Sequence, residues 1–201
     1  MEPFESDLRA RGVRTIAGID EVGRGALFGP VLAAAVVLDP ERPVEGLRDS
    51  KQLSAKQRAV LFLELQDRAL DWALGLASAA EIDRTNILRA TRLAMQRAVR
   101  GLRTRPDHLL IDALELDELD IAQTAIIKGD ARCCSIAAAS IVAKCARDGL
   151  IKQYGKRIRG YGLRRNMGYA TAEHREAIMQ LGFSEMHRRS FRVQGTLPFE
   201  G

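Results

Sequence analysis

The chain has 201 residues, 46% of them hydrophobic, and a formal net charge of +5 at pH 7. This length and composition suffice for one sizeable hydrophobic core and do not require a second domain. No apolar run approaches the roughly 20 residues that span a bilayer, and the N-terminal segment lacks the apolar stretch of a secretion signal. These features argue against a membrane or secreted protein, and we expect a monomeric cytoplasmic one.

The first two predicted strands flank a glycine-rich turn. Short apolar runs occupy residues 14–19 and 31–38, and the second run is nearly continuous, as is typical of a strand covered on both faces. Asp20 and Glu21 follow the first run. Because adjacent residues of a strand point to opposite faces, we expect these two acids to share a site only where the strand ends and the backbone turns.

Helices are predicted by two capping boxes. The Ser-x-x-Gln pattern at residue 54 predicts a helix over residues 54–69, and a third strand is predicted at residues 72–77. The Ser-x-x-Glu pattern at residue 78 predicts a second helix that ends near residue 101. Its apolar face is expected to comprise Leu88, Met95, Val99 and Leu102.

Two further strands are predicted at residues 108–112 and 122–128. Asp112 ends the first of them, and Asp130 follows the second. On residue type alone, Asp112 also suits a turn at the end of a strand, and Asp130 also suits the first turn of the next helix. Five strands alternating with helices predict an α/β fold.

The rest of the chain is predicted to be helical and basic. An alanine-rich helix is expected over residues 132–154, and Thr171 is expected to cap a helix that stops at Gly182. Residues 156–192 contain nine Lys or Arg and three Glu, which on charge alone suits a solvated face and a phosphate-binding surface equally. We expect one domain, with a core at about residues 14–154, a basic helical extension at about 155–192 and a tail at 193–201.

Several motifs, in this order along the chain, resemble those of the ribonuclease HII family. They are IAGIDEVGRGALFGPV (16–31), Asp49-Ser50-Lys51, NILRATRLAM (86–95), LLIDAL (109–114), KGDARCCSIAAASIVAKCARD (128–148), MGYAT (167–171) and HRRSF (187–191). The resemblance implies a ribonuclease H-like fold, with a central five-stranded mixed sheet flanked by helices and a helical C-terminal extension. It also implies an endoribonuclease that cuts RNA/DNA hybrids, and DNA duplexes with embedded ribonucleotides, on the 5′ side of a ribonucleotide, leaving a 3′-hydroxyl and a 5′-phosphate.

The resemblance further implies the catalytic residues. The metal-binding acids of the family occupy the IDE, LLIDAL and KGD motifs, which correspond here to Asp20, Glu21, Asp112 and Asp130. These four acids are implied to be both catalytic and metal-binding, and to hold two Mg²⁺ or Mn²⁺ ions. Carboxylates are suitable residues because such hard cations prefer oxygen ligands.

A substrate-binding surface is implied in the same way. Gly23, Arg24 and Gly25 resemble the family segment whose backbone contacts the 2′-hydroxyl, where glycine allows the main chain to approach the sugar. Tyr169 resembles a tyrosine that stacks on the sugar after the ribonucleotide, and Lys51 resembles a lysine near the substrate phosphates. On residue type alone, Arg24 and Lys51 also suit solvent exposure, and a lone tyrosine also suits a core.

Other residues of these motifs receive structural interpretations. Asp148 is expected to form a surface ion pair with Arg147 and is left out of the catalytic set. The three cysteines are an odd number and are expected to be small buried side chains without a function. Members of the family commonly have a His-Lys pair before Gly168, whereas this chain has Asn166 and Met167, so one phosphate contact of the family is not implied here.

Two alternatives stay open on the sequence, and the tail suggests a partner. A non-catalytic duplex-binding module would use the basic C-terminal third and keep the acids for structure. A ribonuclease HIII-like enzyme would share the chemistry, but that class usually has an N-terminal substrate-binding domain, and only about 15 residues precede the first motif here.

The tail pattern Gln194-x-x-Leu197-x-Phe199 resembles peptides that dock onto a sliding clamp, and it also suits an unstructured terminus.

Overall fold

A five-stranded mixed sheet forms the centre of the computed structural model, which describes residues 1–192. Its strands are β1 (Ile16–Val22), β2 (Val31–Val37), β3 (Asp71–Ala77), β4 (His108–Asp112) and β5 (Ala122–Ile126). Their spatial order is β3-β2-β1-β4-β5. The β1–β2 and β2–β3 pairs are antiparallel, whereas β1–β4 and β4–β5 are parallel. The predicted α/β fold with five strands is confirmed.

Helices flank the sheet and extend beyond it. They are α1 (Phe4–Ala10), α2 (Ala55–Arg68), α3 (Ala79–Arg84), α4 (Ile87–Arg100), α5 (Gly129–Arg132), α6 (Cys134–Arg157), α7 (Leu163–Asn166) and α8 (Ala172–Leu181), with a short 3₁₀ turn at Ser50–Gln52. Within the described residues, no helix is long and apolar enough to cross a membrane.

The two faces of the sheet have separate hydrophobic cores. On one face, residues of β1 and β2 such as Ile19 and Ala35 pack against Met95 and other residues of α4. On the opposite face, β2 packs against α2 and α6. Gly18 makes the close contact between β1 and α6, since a Cβ there would lie 2.0 Å from the carbonyl carbon of Ser135. The start of α6 is therefore fixed against the strand that carries the first two acids.

The helix predicted from residue 78 to about residue 101 is wrong, because two helices occupy this segment. The Ser78 box caps only α3, which ends at Arg84. Asn86 then begins α4, and its side chain accepts a hydrogen bond from the N–H of Arg89. Met95, Val99 and Leu102 are buried as predicted, whereas Leu88, in the first turn of α4, is 42% exposed and does not belong to the buried face that was predicted for it.

Two fully buried arginines join the C-terminal helices to the core. The guanidinium of Arg147, on α6, donates to the carbonyls of Phe28, Pro30 and Met167. That of Arg188 donates to the carbonyls of two residues in the turn between β1 and β2, Arg24 and Gly29. The predicted surface ion pair between Arg147 and Asp148 is therefore wrong, and Asp148 instead pairs with Lys144 at 2.7 Å.

Candidate active site

Asp20 and Asp112 meet at the carboxyl ends of two neighbouring parallel strands. Ile19 of β1 pairs with Ile111 of β4, so the residue that follows each of them lies beside the other. Both aspartates point to the face of the sheet covered by α6, because side chains alternate along a strand and Gly18 and Leu110 face that helix. The side chain of Ser140, on α6, lies close enough to Asp20 to oppose the rise in the pKa of that aspartate.

Asp130 is brought to the same place by the turn after β5. Lys128 there has a left-handed backbone (φ 56°), and Gly129 begins α5. The N–H of Gly129 donates to Asp112 at 2.8 Å, and a Cβ on this glycine would lie 2.5 Å from Ile136. The small residue and the turn therefore place Asp130, which is buried, next to Asp112.

Glu21 reaches the cluster from the other face of β1. The strand runs through both acids to Val22, past the predicted end at residue 19. Its pairing with β4 nevertheless stops at Ile19, so no strand lies beside Glu21 on that side. One carboxylate oxygen lies 3.2 Å from Arg24, and the other, Oε2, is buried without a hydrogen-bond partner among the described residues.

Lys51 supplies a cation at the edge of the cluster. Its Nζ lies 3.1 Å from Asp130 and 4.0 Å from Asp49, while 80% of its side chain is exposed. Burial opposes the charge of this ammonium, but the hydrogen bond that it donates to Asp130 prevails and raises the pKa of Lys51. The neighbouring Ser50 hydroxyl lies 2.9 Å from that of Ser140, which connects the Lys51 turn to the residue that contacts Asp20.

The carboxylates of the cluster oppose each other's ionisation. Burial, and then the charge of Glu21, raise the pKa of Asp20 well above its usual value. Burial also raises the pKa of Glu21, against the effect of Arg24, and it raises the pKa of Asp112, with a contribution from Asp130. A buried, mutually repelling set of carboxylates is unfavourable unless a positive charge joins it.

The donors of this cluster fit a hard divalent cation. All of them are carboxylate oxygens, which Mg²⁺ and Mn²⁺ prefer, and Glu21 Oε2 is a buried acceptor that lacks a donor. Within residues 1–192, no three Asp, Glu, His or Cys side chains already form a cage around one point. The four acids are thus neighbours whose side chains would adjust around an ion.

The turn after β1 presents backbone to solvent beside these acids. Gly23 is buried with φ +89°, and a Cβ there would lie 2.1 Å from Nε of Arg147. Gly25 differs, because a Cβ on it would have no atom within 4 Å. Gly23 is thus required by the protein's own packing, whereas the space beside Gly25 is open to a ligand.

Tyr169 lies against this turn. Its backbone forms a β-bridge with Ala26, the residue that follows Gly25. The guanidinium carbon of Arg147 lies 5.3 Å from the centroid of its ring, and Nζ of Lys144 lies 6.0 Å from it. The structure therefore brings together the two segments for which the sequence predicts substrate binding.

A chain of hydrogen bonds between two buried histidines supports Tyr169. The N–H of Ser184 donates to Nδ1 of His187, so the proton of this ring lies on Nε2, which is 3.1 Å from Nε2 of His174. Nδ1–H of His174 then donates to the carbonyl of Tyr169 at 2.9 Å. This arrangement requires both rings to be neutral.

Sequence reasoning missed the residues that support the site. Arg147 and Arg188 hold the turn and the Tyr169 segment together, but nothing in the sequence distinguishes a buried arginine from an exposed one. The positions of Arg147 in the motif at residues 128–148 and of Arg188 in the HRRSF motif were the only signals available. The metal-binding and substrate-binding roles of the named residues stay predictions.

Comparison with known proteins identifies close relatives. The family model described as Ribonuclease HII matches residues 17–194. A curated protein called Ribonuclease HII from Koribacter versatilis (strain Ellin345) is 53% identical over 180 residues, which cover 90% of this chain and 70% of the relative. Another of that name, from Solibacter usitatus (strain Ellin6076), is 51% identical over 188 residues, which cover 94% of this chain and 82% of the relative.

Solved structures have the same fold. The ribonuclease H2 from Pyrococcus horikoshii OT3 superposes with a TM-score of 0.74 at 27% identity and covers 90% of this chain and 95% of its own. The structure of the PCNA:RNase HII complex from Archaeoglobus fulgidus superposes with a TM-score of 0.77 at 24% identity and covers 92% of this chain and 98% of its own. The structure of Bst-RNase HIII in complex with Mn²⁺ superposes with a TM-score of 0.66 at 22% identity and covers 84% of this chain and 63% of its own.

Proposed function

Because the chain belongs to the ribonuclease HII family, it is a metal-dependent endoribonuclease that acts on RNA/DNA hybrids, and we propose that it cuts on the 5′ side of a ribonucleotide, including one embedded in a DNA duplex. The products would be a 3′-hydroxyl and a 5′-phosphate. The family membership sets aside the non-catalytic duplex-binding module and favours this function over a ribonuclease HIII-like one. The convergence of four acids, two of them buried and two partly buried, from separate parts of the chain is the observation that carries the proposal.

We infer that Asp20, Glu21, Asp112 and Asp130 hold two divalent cations, Mg²⁺ or Mn²⁺. When bound, two such ions supply Lewis acidity at the scissile phosphate, for the attacking water and for the leaving oxygen alike. The raised pKa values and the unpartnered Glu21 oxygen support this assignment. One fold relative, Bst-RNase HIII, was solved in complex with Mn²⁺.

The chain's own residues would then orient the substrate. Lys51 is tethered through Asp130 and largely exposed, so its ammonium can turn from the carboxylate to a phosphate of the bound strand. The backbone of Gly23, Arg24 and Gly25 would contact the 2′-hydroxyl, the group that distinguishes RNA from DNA. Tyr169 would stack on the next sugar, at a position fixed by its bridge to Ala26.

Product mapping tests this proposal. A DNA duplex with a single ribonucleotide is incubated with the protein in Mg²⁺ and, separately, in Mn²⁺, and the ends of the product are identified. We expect one nick on the 5′ side of the ribonucleotide and none in an all-DNA duplex. Asp112→Asn should abolish the nick without abolishing duplex binding. Asp117→Asn is the matched control, because Asp117 is an exposed acid whose side chain is 69% accessible. Binding by the wild-type protein without any nick would refute the proposal.

A sliding clamp is proposed as a partner. The motif from Gln194 to Phe199 lies outside the described residues, and its support is the sequence pattern together with a fold relative solved with PCNA. Deletion of residues 194–201 should abolish binding to a clamp and leave the nicking of a short duplex unchanged. Equal clamp binding by the two forms would exclude this role of the tail. A monomeric cytoplasmic enzyme remains part of the proposal.

A further inference from the structure

A basic groove lies away from the four acids, in the C-terminal part of the structure. It has a volume of about 510 Å³ and lies where the end of α6 meets α7 and the start of α8. Its charged side chains are those of Lys156, Arg159, Arg164, Arg165 and Glu173. Four cations thus surround one carboxylate in a concave surface.

Most of this positive charge is not neutralised by the protein. Arg165 pairs with Glu173. Among residues 1–192, no ion pair or side-chain hydrogen bond involves the charged groups of Lys156, Arg159 or Arg164, all of which are exposed. A concave surface with three free cations attracts an anion more strongly than isolated surface charges do.

Glycines determine how the side chains of the groove pack. A Cβ on Gly155, in the last turns of α6, would lie 2.9 Å from Cγ of Arg164, so this glycine allows the stem of the arginine to rest on the helix. Gly160 and Gly162 have φ of +97° and +63°. Gly162 in addition leaves room for Glu173, whose carboxylate would be 2.6 Å from a Cβ there. These glycines therefore fix the positions of Arg164 and Glu173 in the walls of the groove.

The residues directly before Gly168 cannot provide such a contact. The side-chain amide of Asn166 donates to the carbonyl of Tyr161 at 2.7 Å and accepts from the N–H of Gly168 at 2.8 Å. Met167 packs in the apolar cluster around Phe28. The nearest cations on this segment are Arg164 and Arg165, on α7, which ends three residues before Tyr169.

We propose that this groove binds a backbone phosphate of the substrate duplex, at a distance from the scissile bond, with Arg159 and Arg164 as the main contacts. The proposal rests on the proposed function, since it assumes a nucleic-acid substrate that crosses the Tyr169 segment. Phosphate contacts carry no information on sequence or sugar. The groove would therefore add affinity equally for duplexes with and without a ribonucleotide.

The test is the salt dependence of duplex binding. The dissociation constant of a labelled duplex is measured without divalent metal over roughly 0.05 to 0.2 M salt for the wild type and for Arg159→Ala/Arg164→Ala. Each lost phosphate contact should lower the slope of log K against log salt by about 0.9, which is about eightfold in affinity at 0.1 M salt. The same loss is expected for an all-DNA duplex. In the cleavage assay, KM should rise while kcat stays unchanged.

Two variants control this experiment. Arg14→Ala/Arg100→Ala removes the same charge from exposed residues outside the groove, just before β1 and at the end of α4, and should leave the slope unchanged. Arg159→Lys/Arg164→Lys keeps the charge and should keep most of the slope. Thermal unfolding confirms that each variant is folded.

Three results would refute phosphate binding in the groove. They are a salt slope of the Arg159→Ala/Arg164→Ala variant equal to that of the wild type, an equal loss of affinity in the Arg14→Ala/Arg100→Ala control, and a loss of affinity confined to duplexes with a ribonucleotide. The proposed function fails by a different result, because it requires a nick. A wild-type protein that binds duplex through the groove without cutting it would contradict the proposed function and support the groove.

Discussion

Gly23→Ala and Gly25→Ala add the same methyl group to one turn, and we expect opposite consequences. At Gly23, the left-handed backbone costs a β-carbon roughly 1 kcal/mol. The methyl would also lie 2.1 Å from Nε of Arg147, a side chain that is fully buried and held by three carbonyls. Overpacking of this kind costs about 2 kcal/mol more. The total of about 3 kcal/mol corresponds to a fall of roughly 6–12 °C in Tm for a chain of this size.

Urea unfolding of a double-mutant cycle separates the two contributions. Arg147→Ala removes the atoms that the new methyl would strike, so in that background Gly23→Ala should cost only the backbone strain, about 1 kcal/mol. A coupling free energy of about 2 kcal/mol between the two sites is expected. Equal costs in the two backgrounds would refute the argument that Arg147 is what requires a glycine at position 23.

Gly25→Ala is the matched control for stability and the test for recognition. Its methyl would have no neighbour within 4 Å, so we expect the free energy of unfolding to change by less than about 0.5 kcal/mol. The kcat/KM for a duplex with one ribonucleotide should nevertheless fall, because the methyl would stand between the backbone and the 2′-hydroxyl. A fully active Gly25→Ala protein would show that the substrate does not approach this backbone.

Three further predictions concern stability. Asp20→Asn should abolish nicking yet stabilise the metal-free protein by about 0.5–2 kcal/mol. The reason is that the fold raises the pKa of this aspartate and so disfavours its charge at neutral pH. A lower Tm than that of the wild type would contradict this prediction. Burial, with His174 adding to it, lowers the pKa of His187 from 6.5 to about 4, so stability is complete above pH 6.5 and should fall by about 3 kcal/mol as the pH drops towards 4. Urea unfolding across this range should show a much smaller fall for His187→Gln. Glu5→Ala removes the acceptor, at 2.7 Å, of the buried Ser135 N–H at the start of α6, and should cost about 2 kcal/mol in urea unfolding, whereas Glu5→Gln should cost less.

Local patterns were sufficient where a segment is governed by its own residues. The Ser54 capping box is formed as predicted, with Gln57 as its partner, and the continuous apolar run of β2 is buried along its whole length. The helix after Ser78 failed because Asn86 provides a second cap, whose competition with a continuous helix depends on packing against the sheet. A sequence shows both caps and does not show which one tertiary contacts select.

The sequence was sufficient to predict the four acids of the candidate site, but not the residues that hold them and the neighbouring turn in place. Asp20 and Asp112 follow apolar runs, and strands that end in acids point to a shared edge. The approach of Asp130 depends on the left-handed Lys128 and on the room that Gly129 leaves, which are properties of the turn. The partners of Arg147 lie as far as 119 residues away, so they could not be inferred from any local pattern.

The contacts that Arg188 makes with the turn after β1 join residues that are synthesised far apart in time. Arg188 holds the carbonyls of Arg24 and Gly29, and it leaves the ribosome more than 150 residues after them. A nascent or truncated chain can therefore contain all four acids and still lack the contacts that hold this turn in place.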